Sequence, residues 1–174
     1  MIEQQIMELM RTLDTLDERS QMKLLSQVDE QRYELLGILL KHLGTSPSKN
    51  VQAAAIYLIG RHHLSEGVSD LIQRIDFEFE PQKMRPMPLW EKYPAMEALI
   101  TIGRPSIRHA VELLATESHN LLRELAVKVI RYVEDAEIAQ FILQKAHDAE
   151  NDMSRKAKLK DALLRLDKLV QSTL

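Results

Sequence analysis

The sequence predicts an all-α fold without a β-sheet. Apolar residues recur at spacings of three and four along most of the chain, which is the period of an amphipathic helix. Glycine accounts for only 5 of the 174 residues, and runs of β-branched residues are short. The apolar–polar alternation at 77–79 is too short and too isolated to build a sheet. We therefore expect about ten helices, arranged as antiparallel pairs.

Local signals mark where several of these helices begin. Pro94 and Pro105 precede apolar runs, and proline fits the first helical turn because its missing N–H has no partner inside the helix. Polar residues that can accept a hydrogen bond from a first-turn N–H precede other runs. These are the Ser-Pro-Ser at 46–48, Ser65, Ser118, Asp135 and Asp152, with Ser106 near a further helix start.

Three segments resemble one another as helix–turn–helix units, at 50–75, 93–115 and 122–146. Gly60 superposes on Gly103, and Ile102 superposes on Val133. The first of these spacings is longer than the second. An insertion at 76–94, placed after the second helix of the first unit, accounts for the difference.

The repeated pattern resembles HEAT repeats, most closely at residues 98–114 (ALITIGRPSIRHAVELL), where Gly103 and Pro105 form the turn between the helices. Other positions that carry the resemblance are Val51, Ala54, Ala55, Leu58, Gly60, Val68, Leu71 and Ile72. It covers roughly residues 46–146. It implies a short right-handed α-solenoid of stacked helix pairs. Proteins of this family are mostly binding scaffolds, and a few are enzymes.

We interpret the chain as one domain that stacks these units between capping helices. Residues 1–45 form the N-terminal caps, residues 46–146 the three units with the insertion, and residues 150–174 a C-terminal capping helix. Small residues let neighbouring helices approach closely. These are Ala54, Ala55, Ala95, Ala98 and Ala126, and the C-terminal apolar stripe is Leu159, Leu163, Leu166 and Val170.

Composition narrows the function classes. The absence of cysteine excludes disulfides, thiolate nucleophiles and zinc–thiolate sites. A formal net charge of −3 disfavours non-specific nucleic-acid binding. No run approaches the ~18 apolar residues that span a membrane, and the start lacks the apolar core of a signal peptide. We expect a cytoplasmic monomer or weak oligomer, with neither a nucleic-acid nor a membrane partner.

Several motifs that invite a chemical reading are more simply structural features. His62 and His63 are adjacent, so a regular helix points them ~100° apart and they suit a helix C-terminus better than one metal ion. Ser106 with His109 lacks a nucleophile motif, and both Ser106 and Ser118 suit capping. The basic run of Arg155, Lys156, Lys158 and Lys160 suits a solvated face. An acidic partner or the acidic turn at 148–152 could also satisfy these cations, and phosphate binding is a further alternative. We expect no catalytic residue, metal or cofactor.

The insertion at 76–94 is the main candidate binding element. It holds four of the six prolines and four of the eight aromatic residues. Prolines reduce the entropy lost when a loop is ordered, and methionines suit adaptable binding surfaces. Two roles stay open, namely structural cover for the groove between units and contact with a partner. The expected partner-binding residues are Phe79, Met84, Arg85, Met87 and Trp90 in the insertion, with Arg74, Arg108 and Glu112 on the concave face.

Two functions follow from this architecture. The first is a non-enzymatic scaffold that binds a protein or peptide with its concave face and the insertion. The alternative is a HEAT-like enzyme that resembles the bilin lyases or the DNA glycosylases of this family. The glycosylase version would use an aromatic–acid–arginine cluster, for which Trp90 and Glu91 are the nearest residues.

Overall fold

The computed structural model describes residues 32–79 and 92–172, together with Gln4 and Met7, which are helical. Within this part of the chain every regular element is helical and no strand occurs, so the all-α prediction is confirmed. The helices are α1 (Arg32–Thr45), α2 (Lys49–Arg61), α3 (Val68–Ile72), α4 (Pro94–Ile102), α5 (Pro105–Thr116), α6 (Asn120–Val133), α7 (Ala136–Ala149) and α8 (Met153–Gln171). The other helices expected before residue 32 lie outside the described residues.

Most of the predicted helix starts are confirmed. The side chains of Asp135 and Asp152 each accept a backbone hydrogen bond of 2.9 Å from the residue three positions on. Ser48 caps α2 in the same way, at 3.4 Å from the Val51 nitrogen. Pro94 and Pro105 open α4 and α5. These starts could be predicted because a capping side chain and the N–H that donates to it lie within one turn.

The predicted N-cap at Ser65 is wrong. Ser65 begins a 3-10 turn, Ser65–Gly67, and α3 starts only at Val68. The Ser65 hydroxyl donates to the Glu66 carboxylate at 3.2 Å instead of accepting from a helical N–H. Such tight turns often precede an α-helix, and here the turn shortens α3 to five residues.

The two histidines close α2. His62 is the C-cap, and His63 follows in the left-handed region with φ of 49°. The His63 N–H donates to the Gly60 oxygen and the Leu64 N–H donates to the Ile59 oxygen, each at 3.0 Å. This pair of bonds is a Schellman motif, and the fully buried Leu64 supplies its apolar anchor.

The helices pack in an ordered series. Helix α1 packs on α2, α2 on α4, α4 on α6, and α6 on α8, while α3 lies against α4 and α5. Small residues lie at the α2–α4 contact: a Cβ added to Gly60 would be 2.8 Å from the Ala98 Cα. Gly103, its partner in the sequence superposition, instead turns the chain between α4 and α5 with φ of 87°. The two glycines therefore match in sequence but differ in role.

Helix α8 is more than a terminal cap. Its predicted apolar stripe is confirmed, because Leu159 and Leu166 are buried and Leu163 and Val170 pack against the core. Besides α6, α8 contacts both α5 and α7. Arg155 and Lys158 in its N-terminal half reach the end of α5, and residues 161–169 in its C-terminal half lie beside α6.

Candidate functional site

The two ends of the insertion meet at a neck. The Phe79 N–H donates to the Lys92 oxygen at 3.1 Å, although twelve residues lie between them in the sequence. The Glu78 carboxylate accepts from the Tyr93 hydroxyl at 3.3 Å and pairs with the Lys92 amine at the same distance. The hydrogen bond to Glu78 raises the pKa of Lys92. The two residues that flank 80–91 thus lie side by side.

The flanks of the neck are anchored in the core. Phe77, on the N-terminal side, and Tyr93, on the C-terminal side, are half-buried and pack against core residues. The Phe77 N–H also donates to the Arg74 oxygen at 2.8 Å, which continues the chain directly from α3 into the neck. The neck is therefore a fixed part of the fold.

Some of the predicted partner-binding residues lie in the described part of the chain, and others do not. Met84, Arg85, Met87 and Trp90 lie outside the described residues. Phe79 is half-buried at the neck. Arg74, three residues before Phe77, has a buried Nε for which the described residues supply no hydrogen-bond partner. Of the predicted residues that the structure describes, Arg74 and Phe79 both lie in the short segment that follows α3.

The two predicted residues on α5 differ in availability. Arg108 is exposed. Glu112 is also exposed but accepts two hydrogen bonds from the Arg155 guanidinium, both of 2.9 Å. These bonds lower the pKa of Glu112. Glu112 thus serves to hold α8, and Arg108 is the one of the two that remains available to a partner.

The interpretation of the basic run on α8 as a solvated face is wrong for most of its members. Arg155 pairs with Glu112 and with Glu150. The amine of Lys158 donates to the Thr116 oxygen at 2.5 Å, and that of Lys156 to the Glu150 oxygen at 3.4 Å. Only Lys160 fits the prediction as an exposed lysine. The run faces the C-terminal end of α5, where carbonyls and carboxylates favour cations.

A buried arginine on α6 was not predicted. The Arg123 side chain is 4% exposed and donates to the backbone oxygens of Leu114 and Glu117, at 2.6 and 2.9 Å. It also donates to the Lys158 oxygen at 2.6 Å and to Asp161 at 2.9 Å. Burial acts to raise the pKa of Asp161, but hydrogen bonds from Arg165 and Arg123 outweigh burial and lower it. No local sequence signal reveals this cluster, since its partners are up to 38 residues away.

An open groove of about 530 Å³ runs between α6 and α8. Its apolar lining is Val127, Leu164 and Leu169. Its polar lining is Glu124, Lys128, Asp161, Arg165, Lys168 and Ser172. Leu164 is 55% exposed. This groove was not predicted, because it forms only when two helices from distant parts of the chain lie side by side.

Two large apolar residues are exposed on α7. Phe141 is 62% exposed, and Ile138 one turn earlier is 40% exposed. The Lys145 amine lies over the Phe141 ring, 5.4 Å from its centre. Single exposed apolar residues are ordinary, so this pair by itself does not mark a binding site.

Both serines near helix starts have other roles than the predicted caps. Ser106 is fully buried, and its hydroxyl donates to the Leu99 oxygen at 2.8 Å, at the end of α4. Ahead of α6, the Glu117 carboxylate accepts the N–H groups of His119 and Ser118, while no side chain caps the first turn of α6 itself. These two bonds lower the pKa of Glu117.

Two features are absent from the part of the chain that the structure describes. No cluster of three or more metal-ligating side chains occurs there. No helix there combines the length and apolar character needed to cross a membrane.

Comparisons of the chain with known protein families, with curated proteins and with solved structures find no match. The function must therefore be inferred from the chain's own surfaces.

Proposed function

We propose that this protein is a non-enzymatic scaffold that binds another protein or a peptide. In this proposal the helix pairs form a short right-handed HEAT-like solenoid. The partner contacts its concave face and the insertion whose neck follows α3. The proposal places the protein in the cytoplasm, without a nucleic-acid or membrane partner.

The closed neck of the insertion carries the proposal. A linker between independent domains would separate its two ends, whereas the Phe79–Lys92 hydrogen bond joins them. The intervening residues include Met84, Met87 and Trp90 together with three prolines. Long loops within compact domains are often functional, and rigid scaffolds commonly present binding residues on such loops.

Two arginines support a polar contact beside the loop. Arg74 precedes the neck, and its side chain is half-buried. Arg108 is exposed on α5, the helix against which α3 packs. These groups suit recognition of a peptide backbone or an acidic side chain. No observation favours the lyase or glycosylase alternative.

The neck allows a sharp test of the loop. Because residues 79 and 92 are already joined by a hydrogen bond, a Gly-Ser turn of about four residues can replace 80–91 without moving either helix. We expect this variant to keep its helical circular dichroism and to melt within a few degrees of the wild type. It should lose proteins that the wild type captures from its host, as identified by cross-linking and mass spectrometry.

A matched control separates the loop from general surface effects. A Phe141→Ser variant removes an exposed apolar side chain on α7 and should retain the captured proteins. Unchanged capture by the loop-replaced protein would contradict the binding role of the insertion. A large fall in melting temperature would show that the insertion is chiefly structural cover.

A further inference from the structure

The groove between α6 and α8 has an apolar strip beside unpaired positive charge. Val127 is buried at its base, and Leu164 and Leu169 continue the apolar surface along α8. The amines of Lys128 and Lys168 also line it, and neither forms an ion pair or hydrogen bond within the described residues. The two lysines and the apolar strip beside them are therefore available to a ligand that carries both negative charge and an apolar surface.

The carboxylates of the groove are already occupied. Asp161 accepts hydrogen bonds from both Arg123 and Arg165. Glu124 lies 3.8 Å from the Arg165 guanidinium. Since these two carboxylates face two arginines, the lysines contribute positive charge that nothing in the groove offsets. The groove is therefore locally cationic on a chain whose formal net charge is −3.

The dimensions of the groove suit a helix. Its lining on α8 runs from Asp161 to Ser172, which corresponds to about 16 Å at the helical rise per residue. An equal length of a partner helix is about three turns. Amphipathic helices commonly bind such grooves through apolar anchors spaced at three and four residues.

We propose that the α6–α8 groove binds an acidic amphipathic helix of a partner protein. Its apolar side chains cover Leu164 and Leu169, and its carboxylates pair with Lys128 and Lys168. The groove is lined by residues 124–172 and not by residues assigned to the insertion, so this inference goes beyond the scaffold function proposed above. The paired charges orient the helix and select acidic partners, while the leucines supply the buried apolar area.

A displayed peptide library tests the charge preference directly. The library holds 14-residue amphipathic helices with fixed leucines on one face and with Glu, Lys or Ser randomised on the other. Panning on the full chain should enrich Glu at the polar positions. The double variant Lys128→Glu/Lys168→Glu should show no such enrichment. Enrichment of Lys or Ser on the wild type, or no enrichment at all, overturns the proposal.

The selected peptide then locates the contacts. We expect Lys128→Ser/Lys168→Ser to weaken its binding about tenfold in fluorescence anisotropy, and Leu164→Ser to weaken it by a similar factor. Replacing each Glu of the peptide by Gln should reproduce the loss with the protein unaltered. Lys160→Ser and Phe141→Ser are matched controls outside the groove, and both should bind as the wild type does.

Two further measurements test whether the peptide helix binds in the groove. The first tests for binding at the insertion instead, and the second tests for phosphate binding in the groove. The protein with residues 80–91 replaced should bind the selected peptide normally, so loss there would assign the peptide to the insertion instead. A single-stranded RNA oligomer that displaces the peptide and depends on the same lysines would assign the groove to phosphate and overturn the proposal.

Discussion

The contact between α2 and α4 and the contact between α5 and α8 hold helices together by opposite means. The first is apolar and closely fitted: Gly60 faces Ala98 with no space for a Cβ. The second is polar: Arg155 and Lys158 reach from α8 to the end of α5, and Arg123 links α6 to both helices. The first contact should therefore be sensitive to side-chain volume, and the second to charge and pH.

The largest effect is expected from Arg123→Met. Removing the guanidinium leaves the Leu114 and Glu117 oxygens without their donor, removes a second bond to the helical Lys158 oxygen, and leaves Asp161 with one arginine instead of two. Each buried acceptor left unpaired is costly, so we expect a loss of about 3 kcal/mol in the free energy of unfolding. Lys160→Met is the matched control on the exposed side of α8 and should change stability by no more than about 0.5 kcal/mol. Urea denaturation measures the stability of both variants. Equal losses in the two would refute the role of Arg123 in holding α5, α6 and α8 together.

Gly60→Ala tests the apolar contact. The added methyl group would lie 2.8 Å from the Ala98 Cα and Cβ, so α2 and α4 must separate. We expect a loss of about 1–3 kcal/mol from overpacking. The control is Gly37→Ala on α1, where nothing lies within 4 Å of the new Cβ. That change should stabilise the protein by about 0.5–1 kcal/mol, because alanine favours a helix. Opposite signs in thermal denaturation confirm the prediction, and a neutral Gly60→Ala contradicts it.

Acid should weaken the polar contact selectively. The pKa values of Asp161 and Glu112 are lowered in the folded protein. Their stabilising contributions are therefore full above the ordinary carboxyl pKa of about 4 and are lost as the pH falls through the lower folded values. Asp161→Asn should reduce the stability lost between pH 6 and pH 3 by about 0.5–1 kcal/mol, because its side chain is partly solvent-screened. Identical pH profiles for variant and wild type would rule out this role for Asp161.

The smallest expected effect is a gain in stability from a substitution in the turn that follows α2. His63 has φ of 49°, which costs a residue with a Cβ more than it costs glycine. His63→Gly should raise the free energy of unfolding by up to about 1 kcal/mol, after the greater entropy of unfolded glycine is included. His62→Gly is the neighbouring control at an ordinary φ of −87° and should destabilise the protein. A loss of stability in His63→Gly would show that its side chain contributes more than its backbone angle costs.

The sequence predicted features that depend on neighbours within one or two turns. The all-α class, the caps at Asp135 and Asp152, the first-turn prolines and the C-terminal leucine stripe are all confirmed. The predictions at Ser65, Ser106 and Ser118 were wrong, because a hydroxyl near a helix start has several acceptors and donors within reach. Which of them it uses depends on how the chain bends there.

The insertion was recognised from the sequence, but its neck was not. Proline and aromatic content marked residues 76–94 as unusual, and the predicted repeat pattern put them between two predicted units. The hydrogen bond from Phe79 to Lys92 needed the two flanks to be packed first, with Phe77 and Tyr93 against the core. The binding role of the insertion and the HEAT-like solenoid remain predictions.

The sequence by itself determined the helices and their apolar faces, since backbone hydrogen bonds and side-chain periodicity act over a few residues. Tertiary structure alone decided which charges meet. The Arg155 guanidinium lies on Glu112, 43 residues away, and the Lys158 amine lies on the Thr116 oxygen, 42 residues away. A basic run looks the same in sequence whether it faces water or a neighbouring helix end. Only the position of α8 beside α5 and α6 distinguishes these two cases. The same position creates the groove lined by Lys128 and Lys168, which have no ion-pair partner among the described residues.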